Sequence, residues 1–544
     1  MLLYFLSCFR RVGGGFWLAL VVSLMAVSTP ARAQNSGSLV EQARQAAQQN
    51  RNRESADLFQ RALEAEPAAR DKILREYADQ LTYSDRAAEA VPLYREVLAR
   101  PAPTAEERLR AMRGLALSLA WSGQHAAAVE AYTAVLREKP DDVDALTGRG
   151  RVQIWRRRYG EAEADFRRAL AVQPGHAEAI RGLAEAQSFR GHQREALATL
   201  DRLEPAQRDA DALLLRARTE NWAGRPDLAD STLRQALELR PRDEAGARLA
   251  RELEIARSPL TEVSAQVATQ SDDTDFARLS AAQTFFPGKG AASVSAGYDL
   301  FLFRSENGPA IDIHRPFAAV RLRLSDWAGI NARAELTREE EPGQTDEFLT
   351  YNVFATLAPS DRLRFDFGVD RATLDNIRSM LLDVRTTSYS GSVDFGSDAG
   401  LKASLRGSLS DFSDGNRRRW GQIELRQRLA WKPNVFAGLR YTTFRFSKLL
   451  DNGYFNPRDL QSLEAVGQVW GRSGRFYYSL RGSVGRENAD PGRARSIYSA
   501  EGRLTRLLTD RLEIEGFVNS FSSRAGAPGG FSRTTAGLAL RLRW

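Results

Sequence analysis

The chain has 544 residues, 43% of them hydrophobic and 27% charged, and a mean hydropathy of −0.42. That composition supports folded cores and excludes a protein built of membrane-spanning helices. The pI near 9.6 conceals a near balance of 77 basic and 69 acidic residues. The excess is dispersed, no Lys/Arg block forms an arm, and nucleic acid is excluded as a partner.

At the N-terminus Arg10 and Arg11 precede the apolar run VGGGFWLALVVSLMAV (12–27), and STPARA follows with Ala31 and Ala33. This is the order of a secretory signal peptide, expected to span 1–33 and to be cleaved after Ala33. The one cysteine, Cys8, lies inside it, so the mature chain is expected to hold no disulfide, lipoprotein thiol or thiolate metal site. After Val27 no stretch approaches the roughly 20 apolar residues of a membrane helix. Integral contact with a membrane would therefore require a barrel.

Residues 34–257 read as a helical repeat domain. Trp121, Trp155, Phe189 and Trp222 recur 34, 34 and 33 residues apart, and Pro67, Pro101, Pro140, Pro174, Pro205 and Pro241 close successive units. Turn glycines (Gly123, Gly191, Gly224) and mid-helix alanines (Ala128, Ala162, Ala196) share that period, the pattern of a tetratricopeptide array. Each unit is a helix hairpin that buries its apolar face only by stacking on its neighbours, and the array offers a binding surface without a reaction centre. The aromatic stripe is expected to pack between hairpins in the core.

Near Ser258-Pro259 the period changes to two. LRFDFGVD (363–370) separates Leu363, Phe365, Phe367 and Val369 from Arg364, Asp366 and Asp370, and AGINARAELT (328–337) does the same. About sixteen such segments of about ten residues follow over 258–544, short turns alternating with long polar loops. With Trp327, Tyr389, Trp431, Tyr441 and Tyr498 near apolar strand ends, they predict an antiparallel transmembrane β-barrel rather than a soluble sandwich. The chain ends on GLALRLRW, with Ala536, Leu538, Leu540, Leu542 and Trp544 on one face and Arg541 and Arg543 on the other. A final strand with a terminal aromatic resembles the signal that outer-membrane barrels offer to the barrel assembly machinery, which makes Trp544 the candidate residue. Its apolar face would meet outer-membrane lipid.

Strand phase also yields candidate pore-lining residues: Arg321, Arg323, Arg333, Arg364, Asp366, Arg406, Arg426, Arg428, Tyr477, Arg481 and Arg503. Lys402, Arg475, Arg541 and Arg543 extend the basic set, with Asp370, Asp394, Glu335, Glu424, Glu501, Glu513 and Glu515 opposing it. The imbalance is toward positive charge, which favours neutral or anionic cargo. Tyr477 and Phe517 share the inward phase, where aromatics can stack on sugar rings.

A tetratricopeptide array joined to a C-terminal barrel resembles the exopolysaccharide export proteins, such as the poly-N-acetylglucosamine export porin and the C-terminal barrel of cellulose synthase operon protein C. The most specific local match is NGYFNP (452–457), which looks like the GYFxP element of the cellulose-type barrels; DFSDGN (411–416) is a second stretch of the same kind. The array is much shorter than in the cellulose proteins. The resemblance implies an outer-membrane pore for a polysaccharide chain, with the N-terminal domain in the periplasm. Its repeats would dock periplasmic or inner-membrane biosynthesis proteins. A general porin and a repeat-bearing scaffold remain as alternatives. No enzyme, cofactor or metal site is expected. His125, His176, His192 and His314 lack ligand spacing, the first three being assigned to helix surfaces, and phosphate-loop, nucleophile-elbow and dinucleotide motifs are missing.

Overall fold

The computed structural model describes residues 36–544 apart from 101–103, 272, 307, 342, 491–493 and 524–530. The signal-peptide segment, Cys8 and Pro101 lie outside the described residues. The chain divides into two compact units, one running through Ser122 and the other from Gly123 to Trp544. The later hairpins therefore group with the barrel rather than with the earlier helices.

The first unit contains α1 (Ser36–Gln48), α2 (Asn52–Ala65), α3 (Arg70–Tyr83), α4 (Ala87–Ala99) and α5 (Ala105–Trp121). Phe59, Leu74, Leu81 and Tyr94 form its core at about 1% exposure or less. A capping box starts α5: Thr104 accepts from the Glu107 backbone N–H, and the Glu107 carboxylate accepts from the Thr104 N–H.

The second unit opens with α6 (His125–Glu138), α7 (Val143–Trp155), α8 (Tyr159–Val172), α9 (Ala177–Phe189), α10 (Gln193–Leu200), α11 (Ala210–Trp222), α12 (Pro226–Leu239) and α13 (Glu244–Arg257). Asp142, Asp209 and Asp243, and His176 through Nδ1, each accept from the backbone N–H three residues on, starting α7, α11, α13 and α9 in repeat register. Gly191 and Gly224 hold φ of +82° and +69° between the paired helices, and Gly123, which opens the unit, holds +80°, a conformation that costs glycine nothing. Arg157 takes the equivalent place at +60°, at some strain. Ala128, Ala162 and Ala196 are fully buried, and Gly182 lies so close to the Phe166 ring that a Cβ would sit 2.3 Å from it.

The aromatic stripe departs from the expected core packing. Trp121, Trp155 and Trp222 are 43–49% exposed. Each ends its helix, where the buried stripe runs out, and covers a neighbouring ring with one side only: Trp121 lies 5.5 Å from Tyr83, Trp155 5.4 Å from His125, and Trp222 5.6 Å from Phe189. His192, assigned to a helix surface, is 1% exposed because a barrel turn packs over it.

The barrel comprises β1 (Leu260–Gln270), β2 (Asp275–Phe285), β3 (Ala292–Arg304), β4 (Ile311–Arg323), β5 (Ala328–Glu341), β6 (Gln344–Ser360), β7 (Leu363–Thr373), β8 (Arg385–Gly396), β9 (Leu401–Phe412), β10 (Arg417–Trp431), β11 (Asn434–Phe446), β12 (Asp459–Ser473), β13 (Phe476–Asp490), β14 (Arg495–Leu507), β15 (Leu512–Ser523) and β16 (Phe531–Arg543). A short helix, α14 (Ile377–Leu381), interrupts the loop between β7 and β8. Strands run from 11 residues in β1 to 17 in β6, longer than the sequence period suggested. Each is antiparallel to the next, and β1 pairs with β16, Val263 opposite Leu540, so no edge is left open. On the outward phase Val263, Val267, Leu405, Leu409, Leu480, Val484, Leu538 and Leu540 are 44–66% exposed. A continuous apolar exterior on a closed barrel is matched by hydrocarbon, not by water. At the near end α13 leads into β1 and β16 finishes; the two longest loops, 374–384 and 447–458, lie at the far end.

Candidate functional site

The inward phase of the strands carries an ion network with pairs both within and across strands. Glu424 accepts from Arg440 and Arg481, each at 2.9 Å, and Arg440 also lies 3.5 Å from Glu464. Arg333 bonds Asp299 and Glu335 at 2.6 Å, and Arg278 joins the same Asp299 at 2.9 Å. Arg364 and Asp366 pair at 2.9 Å, Arg503 reaches Glu501 at 2.6 Å, and Arg541 bridges Glu262, Glu513 and Glu515. Arg321 and Arg406 have softer partners, the amides of Asn331 and Gln422. Charges on a protein wall need such partners, and here carboxylates and amides of the same strand or of adjoining strands supply them. Tyr477 lies under Arg472 at 5.0 Å, and the Phe517 ring lies so close to Gly537 that a Cβ there would sit 2.6 Å from it.

Three assigned arginines sit elsewhere. Arg323 rests against Gly224 in the turn before α12. Arg475 lies in the turn 474–475 and donates to the Leu508 carbonyl, because β12 ends two residues earlier. Arg543 donates to the Ala256 carbonyl at 3.0 Å and to Ile255 at 3.3 Å, closing the C-terminal end of α13. Arg426 and Arg428 face inward at the near rim. Arg426 bonds Asp398 and Gln468; Arg428 bonds the Asp398 carbonyl and Asn434 and covers Trp431 at 3.9 Å. Asp299, Arg440, Glu464 and Trp470 were missed, although Asp299 between Tyr298 and Leu300, and Arg440 between Leu439 and Tyr441, carry the alternation that marks an inward polar residue.

The near mouth is bound to the helices. Asp361, in the turn after β6, accepts from the backbone N–H groups of Arg194 and Glu195 at 3.0 Å, capping the first turn of α10 with a carboxylate. The Arg194 guanidinium donates to the Ala358 and Asp326 carbonyls, and Arg225 pairs with Asp326. His192 meets Ser397 at 3.3 Å, Tyr159 meets the edge of Trp431 at 5.1 Å, Pro226 packs on Gly290, and Arg251 and Glu254 pair with Asp510 and Arg511. Between these helices and the rim lies a cavity of about 730 Å³, bounded by Phe189, Arg194, Asp398, Lys402, Trp431 and Trp470. Burial holds the His192 imidazolium below its ordinary pKa; Arg190 and Arg362 add to this, and Glu195 and Glu163 oppose it.

The far mouth is crossed by two loops. In the loop 374–384, Ile377 and Met380 of α14 are buried against inward Phe276, Phe301, Phe303, Ile311 and Ile313. Asp375 reaches β16 and β1 through Arg533 and Gln270. The loop 447–458 contains NGYFNP. Its Tyr454 stacks on Phe412 at 4.8 Å and donates to Asp414 at 2.6 Å; Asn452 donates to the same carboxylate at 3.0 Å. Asn416 donates to the Lys448 carbonyl and to the Tyr454 hydroxyl. Gly453, at φ +83°, packs on α14, where a Cβ would fall 2.6 Å from Asn376 Oδ1. The stretches 411–416 and 452–457 thus lock to one another and to α14. Burial works against ionised Asp414, but the bonds from Tyr454, Asn452 and the Asn416 backbone outweigh it and hold the carboxyl below its ordinary range. Among the described residues no group of three or more His, Cys, Asp or Glu is placed to hold a metal ion.

A tetratricopeptide repeat family matches residues 156–219, which span α8–α10 and most of α11. No curated protein matches the chain by sequence. Among solved structures, the chain is similar to a bacterial polysaccharide outer membrane secretin, 13% identical over 53% of this chain and 99% of that one, with a TM-score of 0.44. A tetratricopeptide repeat protein from Parabacteroides merdae is 20% identical over 41% of this chain and 87% of its own, with a TM-score of 0.35. PilW, a type IV pilus biogenesis factor, is 20% identical over 40% of this chain and 99% of its own, at 0.34. The chain is a tetratricopeptide array followed by a closed, antiparallel β-barrel of sixteen strands.

Proposed function

We propose that the chain is an outer-membrane export porin for an exopolysaccharide, with its repeats in the periplasm and its far loops facing outward. One observation carries this reading: a polar, ion-paired lumen is joined at its near rim to the last hairpins of a repeat array, so cargo gathered by the array meets the lumen directly. The repeats dock periplasmic or inner-membrane proteins that make or modify the polymer, while the wall of arginines and paired carboxylates offers hydroxyl-bearing chains donors and acceptors along their path. The terminal strand, ending on Trp544, is what the assembly machinery reads. Loops across the far mouth weigh against a general diffusion porin.

The test is removal of the chain from its own bacterium. Extracellular polysaccharide is expected to fall and periplasmic polymer to accumulate, with both restored by the gene in trans. Unchanged secretion overturns the export reading and leaves a scaffold.

A further inference from the structure

The helices of the same unit meet the turns after β2, β4, β6, β8 and β14, and meet β10 at its last residue, Trp431. The turn 474–475 between β12 and β13 differs. Among the described residues no hydrogen bond or ion pair joins 470–479 to α6–α13. Arg472 Nε instead donates to the Gly474 carbonyl at 2.9 Å, and Arg475 donates to the Leu508 carbonyl at 2.9 Å, so the hairpin is satisfied within the rim.

Two inward aromatic rings flank this hairpin, and both are part-exposed, although Arg472 lies over one face of Tyr477 at 5.0 Å. Trp470 is 41% exposed and Tyr477 is 39% exposed. Among the described residues, no ring or guanidinium lies against Trp470. Trp431 is the contrast: Arg428 covers its face and Tyr159 meets its edge, so its surface is spent on structure. Trp470 also borders the cavity of about 730 Å³ that runs from α9 and α10 to inward Arg364 and Lys402. The cavity beside Trp470 therefore takes its walls from both the array and the lumen.

We propose that the β12–β13 hairpin frames the opening through which a glycan chain passes from the array into the lumen, with Trp470 and Tyr477 stacking on its pyranose rings. This deepens the export reading and rests on it. A pyranose presents a flat C–H face ringed by hydroxyls. An uncovered indole matches the face, and the Arg472 guanidinium beside Tyr477 matches the hydroxyls. An acyl chain would need a continuous apolar lining, which a cavity containing Arg194, Asp398 and Lys402 does not provide. A simple anion would leave the indole without a role.

The test uses the purified full-length mature chain in detergent, titrated with soluble β-1,4-linked glucose and N-acetylglucosamine oligosaccharides while intrinsic fluorescence is followed. Binding of at least one probe is expected, weakened about tenfold by Trp470→Ala and by Tyr477→Ala and largely kept by Trp470→Phe. Heat-modifiable migration reports that each variant is a folded barrel, and the phenylalanine variant serves where alanine fails to insert. Failure of the wild type to bind either probe, or equal affinity in wild type and folded variants, overturns the proposal. These results are separable from the export test: normal secretion without the chain would remove the export reading while a tryptophan-dependent sugar site survived, and unchanged affinity would remove the site whatever happens to secretion.

Discussion

His192 sits in the seam between α10 and the turn after β8, with Nε2 3.3 Å from Ser397 Oγ and Nδ1 3.5 Å from a Glu195 carboxylate oxygen. The groups around it come from three sides: Glu163 on α8, Arg190 and Glu195 flanking it in its own hairpin, and Arg362 from the barrel turn after β6. Burial and the two arginines lower its pKa below the ordinary value of about 6.5. The unfolded chain therefore takes up the proton first, and stability falls as pH drops through about 6.5 toward the lower folded value. Thermal melts of the helical signal between about pH 5 and 8 are expected to show that decline, and His192→Gln should flatten it. An identical slope in the variant would assign the decline to other histidines. Sequence spacing suggested an exposed helix position because the repeat period says which face packs on neighbouring helices, but not that a barrel turn covers the opposite one.

At the scale of elements, the far loops show how a short motif does its work. In NGYFNP, Gly453 allows the approach to α14, Tyr454 reaches Asp414, and Asn456 closes its own loop on both backbone groups of Leu450. In DFSDGN, Asp414 and Asn416 form the other half. Because the Asp414 carboxyl titrates below its ordinary range, the lock holds at neutral pH and loosens only as pH falls through that depressed value. Asp414→Ala removes an acceptor of three bonds, two of them from the facing loop; hydrogen bonds to a charged group are worth about 1.5–3 kcal/mol each, so openings in planar bilayers should become at least about tenfold more frequent at neutral pH. Tyr454→Phe keeps the stack on Phe412 and should give a smaller rise. Gating that ignores both changes would show that these loops do not control the far mouth.

For the molecule as a whole, period was the legible quantity. A spacing near 34 gave the hairpins, and a spacing of two gave sixteen strands and the inward phase of Arg333, Arg364 and Arg481. Pairing was not legible, because strands that meet across the lumen wall are specified by register and closure rather than by local pattern. That is why the bond of Arg541 to Glu262, between the last strand and the first, could not be read from either segment. The grouping of the later hairpins with the barrel was equally hidden, since it rests on scattered contacts such as Asp361 at the start of α10.

The same distinction decides how the charge of the lumen should be tested. Arg426 and Arg428 form an adjacent basic pair, yet each holds the turn after β8 to β10, so reversing them would change structure and field together. Arg406 separates the two effects. Its bond is a 3.3 Å contact to the Gln422 amide; among the described residues it forms no salt bridge, though it lies within electrostatic reach of Asp394, and its guanidinium is exposed to the lumen. Arg406→Glu therefore removes a positive charge and adds a negative one without breaking an ion pair, and Arg406→Gln removes the charge alone. Reversal potentials in planar bilayers are expected to move toward cation preference in the order wild type, glutamine, glutamate. The differences should shrink as salt rises, since screening acts over about 8 Å at physiological ionic strength and a wetted lumen admits the ions that screen. Lumen substitutions leave the lipid face untouched, so heat-modifiable migration should be the same for all three proteins. If the three reversal potentials coincide at low salt, the arginine excess is neutralised within the wall, and the lumen selects cargo by shape and hydrogen bonding rather than by its field.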